Sequence, residues 1–308
     1  MSKFLTVAKK AIKKPFHLFG LELVRQGSWV PKPSSPPEAL DHPIESLYTE
    51  ERLSIPRLGP AFLCNLNQCT TREGFGYGGN GWHPFVAALV EYRKKTIAFE
   101  GSVLEKYYDA FCPKTASDRI LDQHLTLSKL SALDPWAFVA PWETGTSVEQ
   151  EKRVAKIVTR ENKREGYPDL KSNDGVPGYG PVSNEKGVLE YRRLLNVLSS
   201  IRRSGYIRKS GWDGDIGGFL LRRNNEYRFL VDYGFHRLAA VAALGKHSVP
   251  VRIIRPVVIE ARDVNHWPQV KRGLYTPRDA LRYFHYLFDF DSVAWARAQN
   301  LLEQSYLE

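Results

Sequence analysis

The residues best placed to do chemistry fall in one short run, Asp232-Tyr233-Gly234-Phe235-His236-Arg237. Ahead of it, Arg228 to Asp232 is rich in strand formers. Behind it, Leu238, Val241, Ala242 and Leu244 recur at helical spacing as far as Gly245, a residue type that commonly stops a helix. Gly234 can make the sharp turn between them, and Val249 to Ile254 is apolar and β-branched again. The run predicts strand, turn, helix, strand. A helix that starts directly behind a glycine turn aims unpaired N–H groups and its positive dipole end at that turn, and Arg237 adds a guanidinium fork. Phosphate binding is the chemistry such a corner favours. His236 is placed to contact the phosphate or to cap the helix, and Asp232 to hold a metal ion or to stabilise the turn.

Other chemistry-bearing residues form weaker patterns. Asp213 and Asp215 flank Gly214 and read as turn residues, and His247, His266 and His285 are too scattered for a metal site. Cys64, Cys69 and Cys112 make neither an even framework nor a C-x-x-C pair, which suits a reducing cytosol and argues against structural zinc. The loop Gly74 to Trp82 alternates glycine with aromatics and asparagine but lacks the lysine of a P-loop. It offers either a stacking platform for a sugar or base, or a plain connection.

Several elements must position these groups. Residues 1–28 form a basic amphipathic start: Phe4, Ala8, Ala11 and Ile12 share a helical face ringed by lysines, and Pro15 interrupts it. Such a segment either packs on the protein's own body or makes a weak contact with an anionic membrane surface, which would place the protein in the cytoplasm and peripherally at the inner membrane. Residues 29–50 are proline-rich and read as a linker. Residues 51–165 read as a mainly helical domain, with helices from Pro84 to Lys95, Val103 to Phe111 and Glu149 to Glu165. Residues 166–308 read as an α+β domain with a small mixed sheet around Phe219–Arg222, Arg228–Asp232 and Val249–Ile254, packed by helices over 188–204 and 236–245. The 308 residues are 43% hydrophobic and carry a net charge of +10, which favours anionic partners. The arginines are scattered, so nucleic acid is a weaker reading than nucleotide, and the longest apolar run, Leu238 to Leu244, is too short to span a membrane.

In the helix over 188–204, Tyr191, Leu194, Leu198 and Ile201 share the core-facing side, and Arg193, Asn196 and Ser200 form a second stripe. By itself that polar stripe would face water.

From Val197 to Ile254 the chain resembles the ParB/sulfiredoxin superfamily. The resemblance rests on an ordered set of motifs: Ser200-Ile201-Arg202-Arg203-Ser204-Gly205, then the G-x-x-R turn Gly234-Phe235-His236-Arg237, Leu238-Ala239-Ala240, Leu244-Gly245 and Val249-Pro250-Val251. In that family the turn holds nucleotide phosphates, so the resemblance implies ATP or another nucleoside di- or triphosphate at Gly234, Phe235, His236 and Arg237. It also makes Arg193, Asn196 and Ser200 phosphate contacts. Sulfiredoxins carry a cysteine where this chain has Phe235, which disfavours sulfinic-acid reduction. Partition proteins carry an acidic residue there and continue into a helix-turn-helix domain, for which the residues after Ile254 leave little room. Kinases of this fold use a glutamate ahead of the helix as base. Glu185 and Glu190 both lie in that region, and Glu190 is preferred because it sits one turn before Arg193. With Mg²⁺ on the phosphates and Asp232 as a second catalytic carboxylate, the resemblance implies a kinase-like phosphotransferase acting on a hydroxylated small molecule. A wider likeness, to ParB-like proteins associated with surface-polysaccharide biosynthesis, points to a glycan acceptor. A ParB-like DNA-associated protein and a non-catalytic nucleotide-sensing module stand as alternatives.

Overall fold

The computed structural model describes residues 61–122, 127–207 and 215–302. The expectations for the basic start (1–28), the linker (29–50) and Asp213 lie outside the described residues.

Five strands form one mixed sheet in the order β1-β5-β3-β4-β2, with β1 at Ala61–Asn65, β2 at Cys69–Thr70, β3 at Ile216–Arg223, β4 at Glu226–Tyr233 and β5 at Ser248–Glu260. β3 and β4 are an antiparallel hairpin turned at Asn224, β5 lies parallel to β3, and β1 closes antiparallel on β5. β2 pairs with the outer edge of β4 in parallel. The three expected strand segments lie inside β3, β4 and β5.

The helices are α1 (Pro84–Lys95), α2 (Val103–Ala110), α3 (Ser147–Arg164), α4 (Asn184–Ser204), α5 (Phe235–Ala243), α6 (Pro268–Lys271), α7 (Pro277–Asp289) and α8 (Ser292–Ala298). Local chemistry fixes their ends. His83 accepts the Phe85 N–H at the start of α1, with Pro84 in the first turn. Thr146 and Glu149 form a capping box on α3, and Ser183 caps α4, which stops at Gly205 in positive φ.

Strand alternation divides the interior in two. Phe229 and Val231 of β4, with Ile216, Val249 and Val251, join a core with residues of α1, α2, α4 and α5. Leu230, with Phe219, Leu221 and Ile259, joins a second core built from α7, Trp267 and the segment holding Ala116, Phe138 and Trp142. Each core draws on residues from both sides of the expected 165/166 boundary, and β1 and β2 come from the part read as helical. The two regions share one sheet.

The glycine–aromatic loop also differs from the stacking-platform reading. Phe75, Tyr77 and Trp82 are 1–3% exposed. Phe75 lies at the centre of an aromatic cluster with Trp82, Tyr107, Phe111, Phe290 and Trp295. Gly76 and Gly81 let two backbone segments touch, since a Cβ on Gly81 would fall 2.7 Å from the Gly76 Cα. The loop is a core plug with an exposed tip at Gly79 and Asn80.

Candidate functional site

β4 ends at Tyr233, Gly234 takes the left-handed conformation (φ 88°, ψ 17°), and α5 begins at Phe235. Among the described residues no side chain caps this helix, and its first intrahelical bond runs from the Leu238 N–H to the Gly234 carbonyl at 3.0 Å. The N–H groups of Phe235, His236 and Arg237 thus have no acceptor within the helix. A Cβ at Gly234 would also meet the Ile216 Cα at 3.0 Å, so the positive φ and the close approach to β3 both call for glycine.

The side chains at this turn diverge. Arg237 Nη2 donates to the Asp215 carbonyl at 2.9 Å, and Arg252 Nε meets the Asp215 carboxylate at 2.6 Å. Asp215 is 3% exposed, so these two arginines bracket a buried acid at the entry to β3. Phe235 is half-buried and packs against the first core. His236 points the other way, to α4. Its Nε2 lies 3.1 Å from Glu190, and its ring stacks on Phe85 at 5.2 Å.

Glu190 has no exposed surface. Lys186 Nζ, also fully buried, reaches it at 2.5 Å and holds Asn162 Oδ1 at 2.6 Å. Arg193 donates to both Glu190 oxygens at 2.9 and 3.0 Å, and to Glu161 of α3 at 3.0 Å. Burial alone would raise the Glu190 carboxyl. The His236 hydrogen bond and the charges of Arg193 and Lys186 outweigh it and hold the group well below the usual carboxylate range. Glu190 therefore does not suit the expected role of taking a proton directly from an acceptor hydroxyl: it is sealed from solvent and too weak a base.

Asp232, the other expected catalytic carboxylate, projects from the opposite side of β4. It accepts from Arg72 Nη2 at 2.7 Å, and Arg72 also grips Glu143 with two bonds of 2.6 and 2.8 Å. Those bonds and the Ala140 N–H bring the Glu143 carboxyl down to about 2 against the effect of its burial. Nearby, Arg119 pairs with Glu73 and lies between the Phe138 and Tyr179 rings, 4.9 and 5.0 Å from their centroids. Asp232 and Glu190 thus belong to different faces of the sheet.

Of the α4 stripe, Arg193 sits one turn from Glu190. Asn196 and Ser200 are exposed and lie further along the axis, at about 9 and 15 Å from Glu190 at 1.5 Å per residue. Sequence reasoning missed Lys186, Glu161, Arg72, Glu143 and Arg252. Only Lys186 had a local signal, its i,i+4 spacing to Glu190.

Glu190, Asp215 and Asp232 are each paired with cationic side chains, and among the described residues no group of three His, Cys, Asp or Glu side chains could hold a metal ion. Among the same residues no helix is long and apolar enough to cross a membrane. Compared with protein-family models, curated proteins and solved structures, the chain matches none of them.

Proposed function

We propose that this chain binds a nucleoside di- or triphosphate, ATP or another, at the start of α5, as a ParB/sulfiredoxin-like protein, and transfers a phosphoryl group to a hydroxylated small molecule or glycan. The observation that carries the reading is the strand–glycine–helix corner. A left-handed Gly234 leads into a helix that no side chain caps among the described residues, and Arg237 stands in its first turn. Mg²⁺ would arrive chelated by the phosphates. A cytoplasmic setting, with a weak peripheral contact at the inner membrane surface, supplies nucleotide and keeps the free thiols of Cys64, Cys69 and Cys112 reduced. The sealed position of Glu190 favours, as a second reading, a sensing module that binds nucleotide without transfer.

Thermal shift and calorimetry with ATP, ADP, CTP and inorganic phosphate test the site, since a ligand of the folded state raises its stability with occupancy. Arg237→Ala is expected to weaken nucleotide binding about ten- to a hundredfold, the equivalent of a charge-assisted bond of roughly 1.5 to 3 kcal/mol. Because Arg237 also braces the Asp215 carbonyl, urea unfolding of the same variant separates lost affinity from lost fold. Unchanged affinity in a folded Arg237→Ala protein returns the turn to a purely structural role. Phosphorus NMR with pooled hydroxylated acceptors then separates transfer from sensing.

A further inference from the structure

Both oxygens of Glu190 are occupied from inside the protein, Oε1 by Lys186 and Arg193, Oε2 by Arg193 and His236. An ionised carboxylate only accepts hydrogen bonds, so the proton of a neutral His236 ring must sit on Nε2, and Nδ1 carries the lone pair. Nδ1 is bonded to the ring carbon that joins the side chain. It therefore stays beside the backbone of the first turn of α5, immediately behind Gly234. Among the described residues it has no hydrogen-bond partner, and the His236 side chain is 16% exposed. The Phe85 ring, 20° from coplanar, holds the imidazole on its other surface.

We propose that His236 is the proton-transfer residue of the α5 turn, acting through Nδ1, and that Glu190 is the positioning residue that fixes its tautomer and orientation. The chemistry rests on the nucleotide reading above; the tautomer does not. In the step implied, the acceptor hydroxyl gives its proton to Nδ1 as its oxygen bonds to the terminal phosphorus. The bond from that phosphorus to the bridging oxygen breaks, and its electron pair leaves with the shortened nucleotide. The imidazolium so formed faces Glu190, whose charge stabilises it, and later returns the proton to water. The other titratable groups facing the ring are few. Lys186 and Arg193 of α4 act through Glu190, and His83, ahead of α1, is lowered to about 3 by burial and stays neutral.

Long-range proton–nitrogen correlation NMR on the intact chain with nitrogen-15 histidine reads the tautomer without any ligand. In its neutral form the wild-type His236 ring is expected to carry its proton on Nε2 with Nδ1 bare, and Glu190→Gln, whose amide can also donate, to show a mixture. Since Glu190→Gln leaves two buried cations poorly matched and puts folding at risk, His236→Gln is the second variant. It should keep ATP affinity within about threefold while phosphoryl transfer falls roughly a hundredfold or more, and the acid limb of the kcat–pH profile should vanish. A wild-type ring protonated on Nδ1, or His236→Gln with turnover and acid limb intact, overturns the proposal. A wild type that binds no nucleotide overturns the preceding reading instead, and the tautomer then still decides whether Glu190 positions His236.

Discussion

On the α4–α5 face of the sheet, a buried carboxylate is shared by a lysine, an arginine and a histidine. On the α7 face, an arginine is shared by two carboxylates, Glu143 and Asp232, with Arg119–Glu73 beside it. Both sets are nearly closed to water, and both join segments distant in the chain. Only the first contains an imidazole, and among the described residues that ring keeps one nitrogen without a hydrogen-bond partner. The second consists of guanidinium and carboxylate groups paired with one another. A guanidinium does not give up its proton in a protein, so a set built around arginines holds segments together and offers no group that alternates between donor and acceptor. Arg72 accordingly ties the stretch after β2, the loop at Glu143 and the end of β4 into one clamp, while the α4–α5 set supports a turn where chemistry could occur.

The largest expected effect breaks the clamp. Arg72→Met strands Glu143 and Asp232 without their shared cation, and removing one partner of a buried pair costs about 3 to 5 kcal/mol. Lys186→Met should cost less, because Glu190 keeps Arg193 and His236. Urea unfolding of the two variants side by side measures the difference. If Lys186→Met proves the more damaging, the α4–α5 set is the principal clamp.

Acid sharpens the comparison. Burial, with His236 adding to it, lowers His83 from 6.5 to about 3. Between those values the unfolded chain binds a proton that the folded chain refuses, so stability falls as pH drops from 6.5, by about 1.4 kcal/mol per unit. Glu143, held at about 2, adds its own loss only as pH falls below about 4.5. His285 of α7, lowered from 6.5 by burial with Arg223 adding to it, contributes in the same direction, so the window above 4.5 reports both histidines and the window below it includes the clamp. His83→Asn keeps an acceptor for the Phe85 N–H and should reduce the slope between pH 6.5 and 4.5 to the share left by His285, whatever it costs in packing. Unfolding free energies across that range, equal in slope for both proteins, would remove His83 from the account.

The strand–Gly234–helix run was legible because every signal in it is local: strand formers, a glycine in positive φ, helical spacing, and Gly245 just past the end of α5 in positive φ. β1 and β2 were not, since five residues and two residues carry no usable period, and their extended form is set by pairing with β5 and β4. At the site, residue types were readable and partners were not. Glu190 and His236 are 46 positions apart, and Arg72 and Asp232 are 160 apart. Period-two alternation along β4 puts Asp232 with Arg228 and Leu230, opposite Phe229 and Val231, but only the folded sheet shows that α4 and α5 cover the other side.

The smallest expected effect concerns the far end of α4. Asn196 and Ser200 are exposed in a helix interior, where alanine is the better helix former by a few tenths of a kcal/mol. Asn196→Ala and Ser200→Ala should therefore leave stability unchanged or slightly higher. Neither residue supports a charge set, so any loss of nucleotide affinity in these variants would come from direct contact with ligand. Because Ser200 lies about 15 Å along the axis from Glu190, it can touch only a part of the ligand remote from a phosphate at His236. Ser200→Ala is expected to change ATP affinity less than Asn196→Ala, and both less than Arg237→Ala. Calorimetry on the three variants ranks them. A loss at Ser200 equal to that at Arg237 would move the phosphates along α4, away from the α5 turn, and would leave His236 without an acceptor within reach.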